Sequence, residues 1–297
     1  MSVVGPHLAV FAYLAVAFLG GALLAPWAWW AVHGEAAWLP FLQIHTDFWR
    51  YVHRCVVGLL LLGLLPLARA TGVNSWSAMG MTGRPGRGRR LAVGLAVGLG
   101  SFALLGVLAT ALLPVQWVDP ATVDWPRHLA EAAVAMVLVS LIEELLHRGV
   151  LFNSLRASLD WRLAALGSSA LFSLSHFLDA RPDSPEPVTL TSGLTTLSAM
   201  AAPVLGDAAG TIRFITLFSA GMLLCGLVRR TGDLWGSMGV HAGWIFGGKL
   251  LTVLIVSGGA PTLWWNARNF LESGAVAAMI TVMAVGVLVG ASPRADG

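Results

Sequence analysis

Apolar residues in this chain gather into long, nearly uninterrupted runs rather than alternating with polar ones every second or every three to four positions. Such runs near 8–31, 54–70, 91–114, 128–152, 162–180, 211–230, 234–257 and 273–291 approach the ~20 residues a helix needs to cross a hydrocarbon core. They predict an all-α polytopic integral membrane protein of about eight transmembrane helices, the runs at 54–70 and 162–180 being short or polar at one end. The connections are rich in Gly, Pro and charge. The longest extends from Asp179 to about Gly210 and contains RPDSPEP; its prolines read as a loop rather than a ninth span, and a loop of this length is usually functional or mobile.

Composition agrees. Hydrophobic residues make up 57% and charged residues 11%, with a mean hydropathy of +0.76, which excludes an ordinary soluble domain. The formal charge of +3 does not point to nucleic acid, because the run GRPGRGRR lies in a short connection between two spans, where arginines set topology and meet anionic lipid headgroups. With the N-terminus inside, one set of loops holds Arg69, Arg84, Arg87, Arg89, Arg90, Arg156, Arg162, Arg229, Arg230 and Arg294 against Asp160, Asp233 and Asp296. The other set holds fewer arginines, from Arg50 to Arg268, among a larger number of acids from Glu35 to Glu272. The positive-inside rule therefore puts both termini in the cytoplasm. Trp27, Trp29, Trp30, Trp38, Trp49, Trp117, Trp125, Trp264 and Trp265 cluster at the opposite ends, as in an interfacial belt. The first run lacks a basic n-region and an A-x-A site and reads as a helix rather than a cleaved signal. Cys55 and Cys225 fall at opposite ends of their spans, too far apart for a disulfide, and read as ordinary buried thiols.

Two adjacent glutamates, Glu143 and Glu144, interrupt the apolar stretch LVSLIEELLHRGVLF. A carboxylate in the bilayer costs a few kcal/mol, so the pair marks a functional site. Glu144 and Arg148 are four apart, neighbours on one helix face in the favourable order; Glu143, about 100° round the helix, is left free. His176 and His241 lie in two further runs. At ~1.5 Å per residue, Glu143, His176 and His241 each stand roughly 17–21 Å from an arginine marking the cytoplasmic surface, so three helices deliver a carboxylate and two imidazoles to one depth. His128 and His147 read as structural.

In this order, Glu143-Glu144 with Arg148, then Phe172 with His176 four residues on, then His241, the chain resembles the CPBP family of CAAX-prenyl-endopeptidase and bacteriocin-processing intramembrane proteases. The resemblance spans about 127–257, taken as a catalytic core of helices 4–7 between an N-terminal helical region, 1–126, and a C-terminal helix and tail, 258–297. It implies metal-independent peptide hydrolysis in the membrane without a cofactor, Glu143 activating water with His176, His241 stabilising the oxyanion, and Glu144 and Arg148 supporting them. One position departs from the family: its third motif is usually His-x-x-x-Asn, and here Ile245 stands four after His241. Ser237, or the indole of Trp244, is a candidate substitute. Two rival readings stand beside this one. A metal-dependent membrane protease would use the Glu-x-x-His spacing of Glu144 and His147; a non-enzymatic scaffold or transporter would use the ionisable cluster as a proton relay. Arginine outnumbers lysine seventeen to one, which fits a GC-rich bacterial genome, an inner-membrane location and a membrane-anchored or lipid-proximal substrate. The Asp179–Gly210 loop is expected to line the approach to the site.

Overall fold

The computed structural model describes residues 5–33, 37–39, 45–113, 115–258, 262–266 and 269–290; Glu35, Arg268, Arg294 and Asp296 lie outside them. Each of the eight apolar runs falls on a helix: α1 (Pro6–Val32), α2 (Phe48–Ala70), α3 (Arg87–Leu112), α4 (Trp125–Glu144), α5 (Trp161–Ser175), α7 (Ala208–Thr231), α8 (Trp235–Leu254) and α9 (Gly274–Val289). Four of them, α1, α2, α3 and α7, are long and apolar enough to cross a membrane on length and composition. The physical reason the others fall short is instructive. α5 and α9 are shorter, at 15 and 16 residues, while α4 carries Arg127, Glu131, Glu143 and Glu144 and α8 carries His241, Lys249 and several glycines, which lower their hydropathy.

One expectation holds and one is corrected. The chain is mostly helical, at 76%, consistent with an all-α membrane protein, and a short ladder of β1 (Val115–Trp117) antiparallel to β2 (Ile255–Ser257) ties the end of α3 to the end of α8. The Asp179–Gly210 connection, expected as a loop, is the corrected one. It contains a ten-residue helix, α6 (Ser192–Ala201), which lies so close to α1 that a Cβ at Gly193 would stand 1.8 Å from the Ala22 carbonyl oxygen. Of the tryptophans, Trp27, Trp38, Trp117 and Trp264 are exposed, whereas Trp49 and Trp265 are buried in the core, so the belt is partial. Cys55 and Cys225 are both free, Cys55 only half-buried.

Local sequence explains the helix ends that matter. Asp124, Asp160 and Asp207 each accept a backbone N–H from the first turn of α4, α5 and α7, satisfying donors that the helix itself cannot. α7 stops at Gly232, whose φ of +72° is a left-handed conformation open to glycine, and whose N–H returns to Val228 O. Asp233 follows, fully buried, held by Arg90 at 2.7 Å and accepting the Trp235 N–H. That contact pins the start of α8 to the start of α3.

From there α3 and α8 run together on glycines. A Cβ at Gly94 or Gly98 would stand 2.4 Å from a backbone carbonyl of α8, and one at Gly239 2.2 Å from Leu91 O of α3. With little hydrophobic drive between helices in lipid, such small-residue faces let backbones approach and gain dispersion. The result is a fixed platform for His241.

Candidate active site

Glu143 and Glu144 close α4, and the chain continues directly into a π-helical turn, Leu145–Phe152. The wider turn frees carbonyls from the usual i→i−4 ladder, and side chains take them up. His147 Nδ1 is 3.0 Å from Glu143 O, Ser168 Oγ of α5 donates to His147 O at 2.8 Å, and Asn153 Nδ2 donates to Gly149 O at 3.0 Å. The π turn is thus stitched to its own helix and to α5.

Within it Arg148 and Glu144 are both fully buried and 3.0 Å apart. The same oxygen, Glu144 Oε1, lies 3.0 Å from His241 Nδ1. A buried carboxylate therefore joins α4 to α8 through an arginine and a histidine. Phe172 organises the remainder: its ring face meets the Arg148 guanidinium at 4.3 Å, and its centroid lies 5.0, 4.8 and 6.0 Å from those of His147, His176 and His241. His176 closes α5, with Nδ1 bonded to Phe172 O at 2.7 Å and its own carbonyl accepting from Arg213 at 2.6 Å.

Glu143, His176 and His241 come together at one point. Glu143 Oε2 is buried without a hydrogen-bond partner, 3.8 Å from His176 Nε2 and 3.6 Å from His241 Nε2. In each histidine Nδ1 is already committed, to Phe172 O and to Glu144, so both Nε2 atoms face the carboxylate. These separations are too long for direct hydrogen bonds. Glu143 and His176 line two cavities, one of about 310 Å³ among α4, α5, α7 and α8, the other of about 390 Å³ toward α1 and α2.

Other residues singled out from the sequence take different partners. Ser237 does not line either cavity; it is fully buried and its hydroxyl donates to Leu234 O. The Trp244 indole N–H is taken by Ser101 Oγ at 3.1 Å. Ile245 lines the smaller cavity and adds only apolar wall. Of the Asp179–Gly210 connection, Asp179 lines the cavity toward α1 and α2, while α6 is docked on α1. The Glu144–His147 metal pairing also separates, Glu144 turning to Arg148 and His147 to Glu143 O. Among the described residues no group of three or more His, Cys, Asp or Glu is arranged to hold a metal ion.

Sequence reasoning missed Asn269 and Lys249, both lining the smaller cavity. Lys249 had a signal, being the chain's one lysine and eight residues beyond His241 on the same helix face. Asn269 had none, since it arrives from a separate segment after α8.

Residues 125–247 match the family model described as Rce1-like, type II CAAX prenyl endopeptidase. No curated protein and no solved structure matches the chain. The fold and the family match define an integral membrane protein with a protease domain, a hydrolase of the CAAX type. The matched segment runs from the start of α4 into α8 and is similar to the CPBP/CAAX protease family.

Proposed function

We propose that this protein is a glutamic intramembrane endopeptidase, cleaving a membrane-anchored or lipid-proximal protein or peptide. One observation carries the reading: a buried, unpartnered carboxylate oxygen flanked by two imidazole nitrogens at the wall of a mainly apolar cavity. A water held between Glu143 Oε2 and His176 Nε2 gives its proton to Glu143 as its oxygen attacks the scissile carbonyl, and Glu143 returns a proton to the departing amine nitrogen. His241, protonated at Nε2 and backed through Nδ1 by Glu144, stabilises the oxyanion. Glu144 and Arg148 thus position His241 rather than meet substrate. With Ser237 and Trp244 engaged elsewhere, Asn269 is the second oxyanion donor: Glu272 holds its amide at 2.5 Å through one N–H, leaving the other.

The cavity toward α7 and α8 takes the peptide, and the one toward α1 and α2 brings water. The division into a core of 127–257 flanked by 1–126 and 258–297 follows from this assignment, with α3 serving as scaffold for α8. Eight spans, both termini on the arginine-rich side and a bacterial inner-membrane location complete the proposal.

The test is cleavage of a membrane-anchored reporter peptide in proteoliposomes. Glu143→Gln is expected to lower cleavage about 10²–10⁴-fold, the range of general-base catalysis, with the fold preserved because Glu143 Oε2 accepts no hydrogen bond that the fold depends on. His176→Ala should do the same. Near wild-type cleavage by either folded variant overturns the mechanism.

A further inference from the structure

A cavity larger than either of those at Glu143 lies away from the active site. It is a groove of about 790 Å³ between α3, α7 and α9, walled by apolar side chains such as Val93, Val97, Leu223 and Val287, and it ends at Arg89 and Arg90. Arg90 is neutralised by buried Asp233. Arg89 is exposed and, among the described residues, has neither an ion pair nor a hydrogen bond. Arg84 reaches Gly232 and Arg230 reaches Gly290 at the same ends of α7 and α9, and among the described residues the acid there, Asp233, is already engaged with Arg90. From Arg89 to Val97 along α3, and from Thr231 to Leu223 along α7, the groove runs eight residues, about 12 Å. One leaflet of a ~30 Å hydrocarbon core has nearly that depth.

We propose that this groove is a binding site for one anionic glycerophospholipid, its phosphate at Arg89 and an acyl chain lying between α3 and α9. The apolar length matches a leaflet, and the cationic end is complementary to the headgroup rather than to a neutral lipid. The site is independent of the peptidase reading, since none of its residues lines either cavity at Glu143.

Gly286 of α9 lines the groove, and a Cβ there would meet nothing within 4 Å, so a larger side chain enters open space. Leucine also favours the helix over glycine. The experiment uses the full chain in a mild detergent. Retention of phosphatidylglycerol and of phosphatidylcholine with the same acyl chains is read by native mass spectrometry, with glycerol phosphate as a headgroup-only probe. One phosphatidylglycerol should be retained per chain, with phosphatidylcholine and glycerol phosphate bound at least tenfold more weakly. Arg89→Gln should weaken phosphatidylglycerol about fivefold, the worth of one basic residue facing an anionic headgroup, and leave phosphatidylcholine unchanged. Gly286→Leu should lower retention while the helical circular dichroism is preserved. Equal retention of the two lipids, unchanged affinity in either variant, or glycerol phosphate binding as tightly as the lipid would each overturn the site.

Discussion

Replacing Glu144 by glutamine tests the arrangement beneath the proposed catalytic groups. One carboxylate oxygen serves Arg148 and His241 at 3.0 Å each, and the Glu144 and Arg148 side chains are fully buried. Removing its charge leaves a guanidinium in apolar surroundings, with the Phe172 face at 4.3 Å as its other partner. Breaking a buried pair by deleting one charge costs about 3–5 kcal/mol. Because the glutamine oxygen can still accept one hydrogen bond, the low end, about 3 kcal/mol, is expected. Adding Arg148→Met removes the stranded cation and should restore most of that stability, since buried pairs replaced by apolar groups are often neutral. Cleavage should stay low in the double variant, because His241 has lost the carboxylate at its Nδ1. The measurements are chemical unfolding in detergent micelles and reporter cleavage on the same preparations. A single variant within about 1 kcal/mol of wild type, or a double variant that regains cleavage, refutes the assignment of Glu144 as the group that holds both partners.

Other outcomes follow from the same geometry. Gly98→Val puts a side chain 2.4 Å from Val240 O, forcing α3 from α8; a displacement near 1 Å at His241 costs about 10²-fold in rate, whereas Gly100→Ala, with open space around it, should leave cleavage unchanged. Asn269→Ala should lower kcat about 10²–10³-fold, as loss of one oxyanion donor does elsewhere, and adding Ile245→Asn should recover part of it; wild-type kcat in Asn269→Ala removes this donor from the mechanism. Phenanthroline or EDTA should leave activity intact, and loss restored by zinc would favour a metal-dependent enzyme.

The runs of apolar residues by themselves determine where the helices lie, because a helix in lipid must satisfy its own backbone and therefore needs a long uniform stretch. Periodicity also places Glu144 beside Arg148 and Phe172 beside His176, since neighbours four apart on a helix are a matter of local geometry. Which helices meet is another matter. The Gly-x-x-x-Gly spacings at Gly94 and Gly239 stand in the sequence, but nothing in them says that they face each other. Only the packing of α3 on α8 decides it, and with it the position of His241. The π turn after Glu144 and the docking of α6 on α1 depend on partners distant in the chain, Ser168 and Ala22. The partner of Ser237 is decided the same way: its spacing places it one turn before His241, and its hydroxyl donates to Leu234 O, a bond visible only in the folded chain. Asn269 reaches the cavity from a segment after α8, and contact between segments so far apart is set by tertiary packing, not by the spacing of residues along one helix.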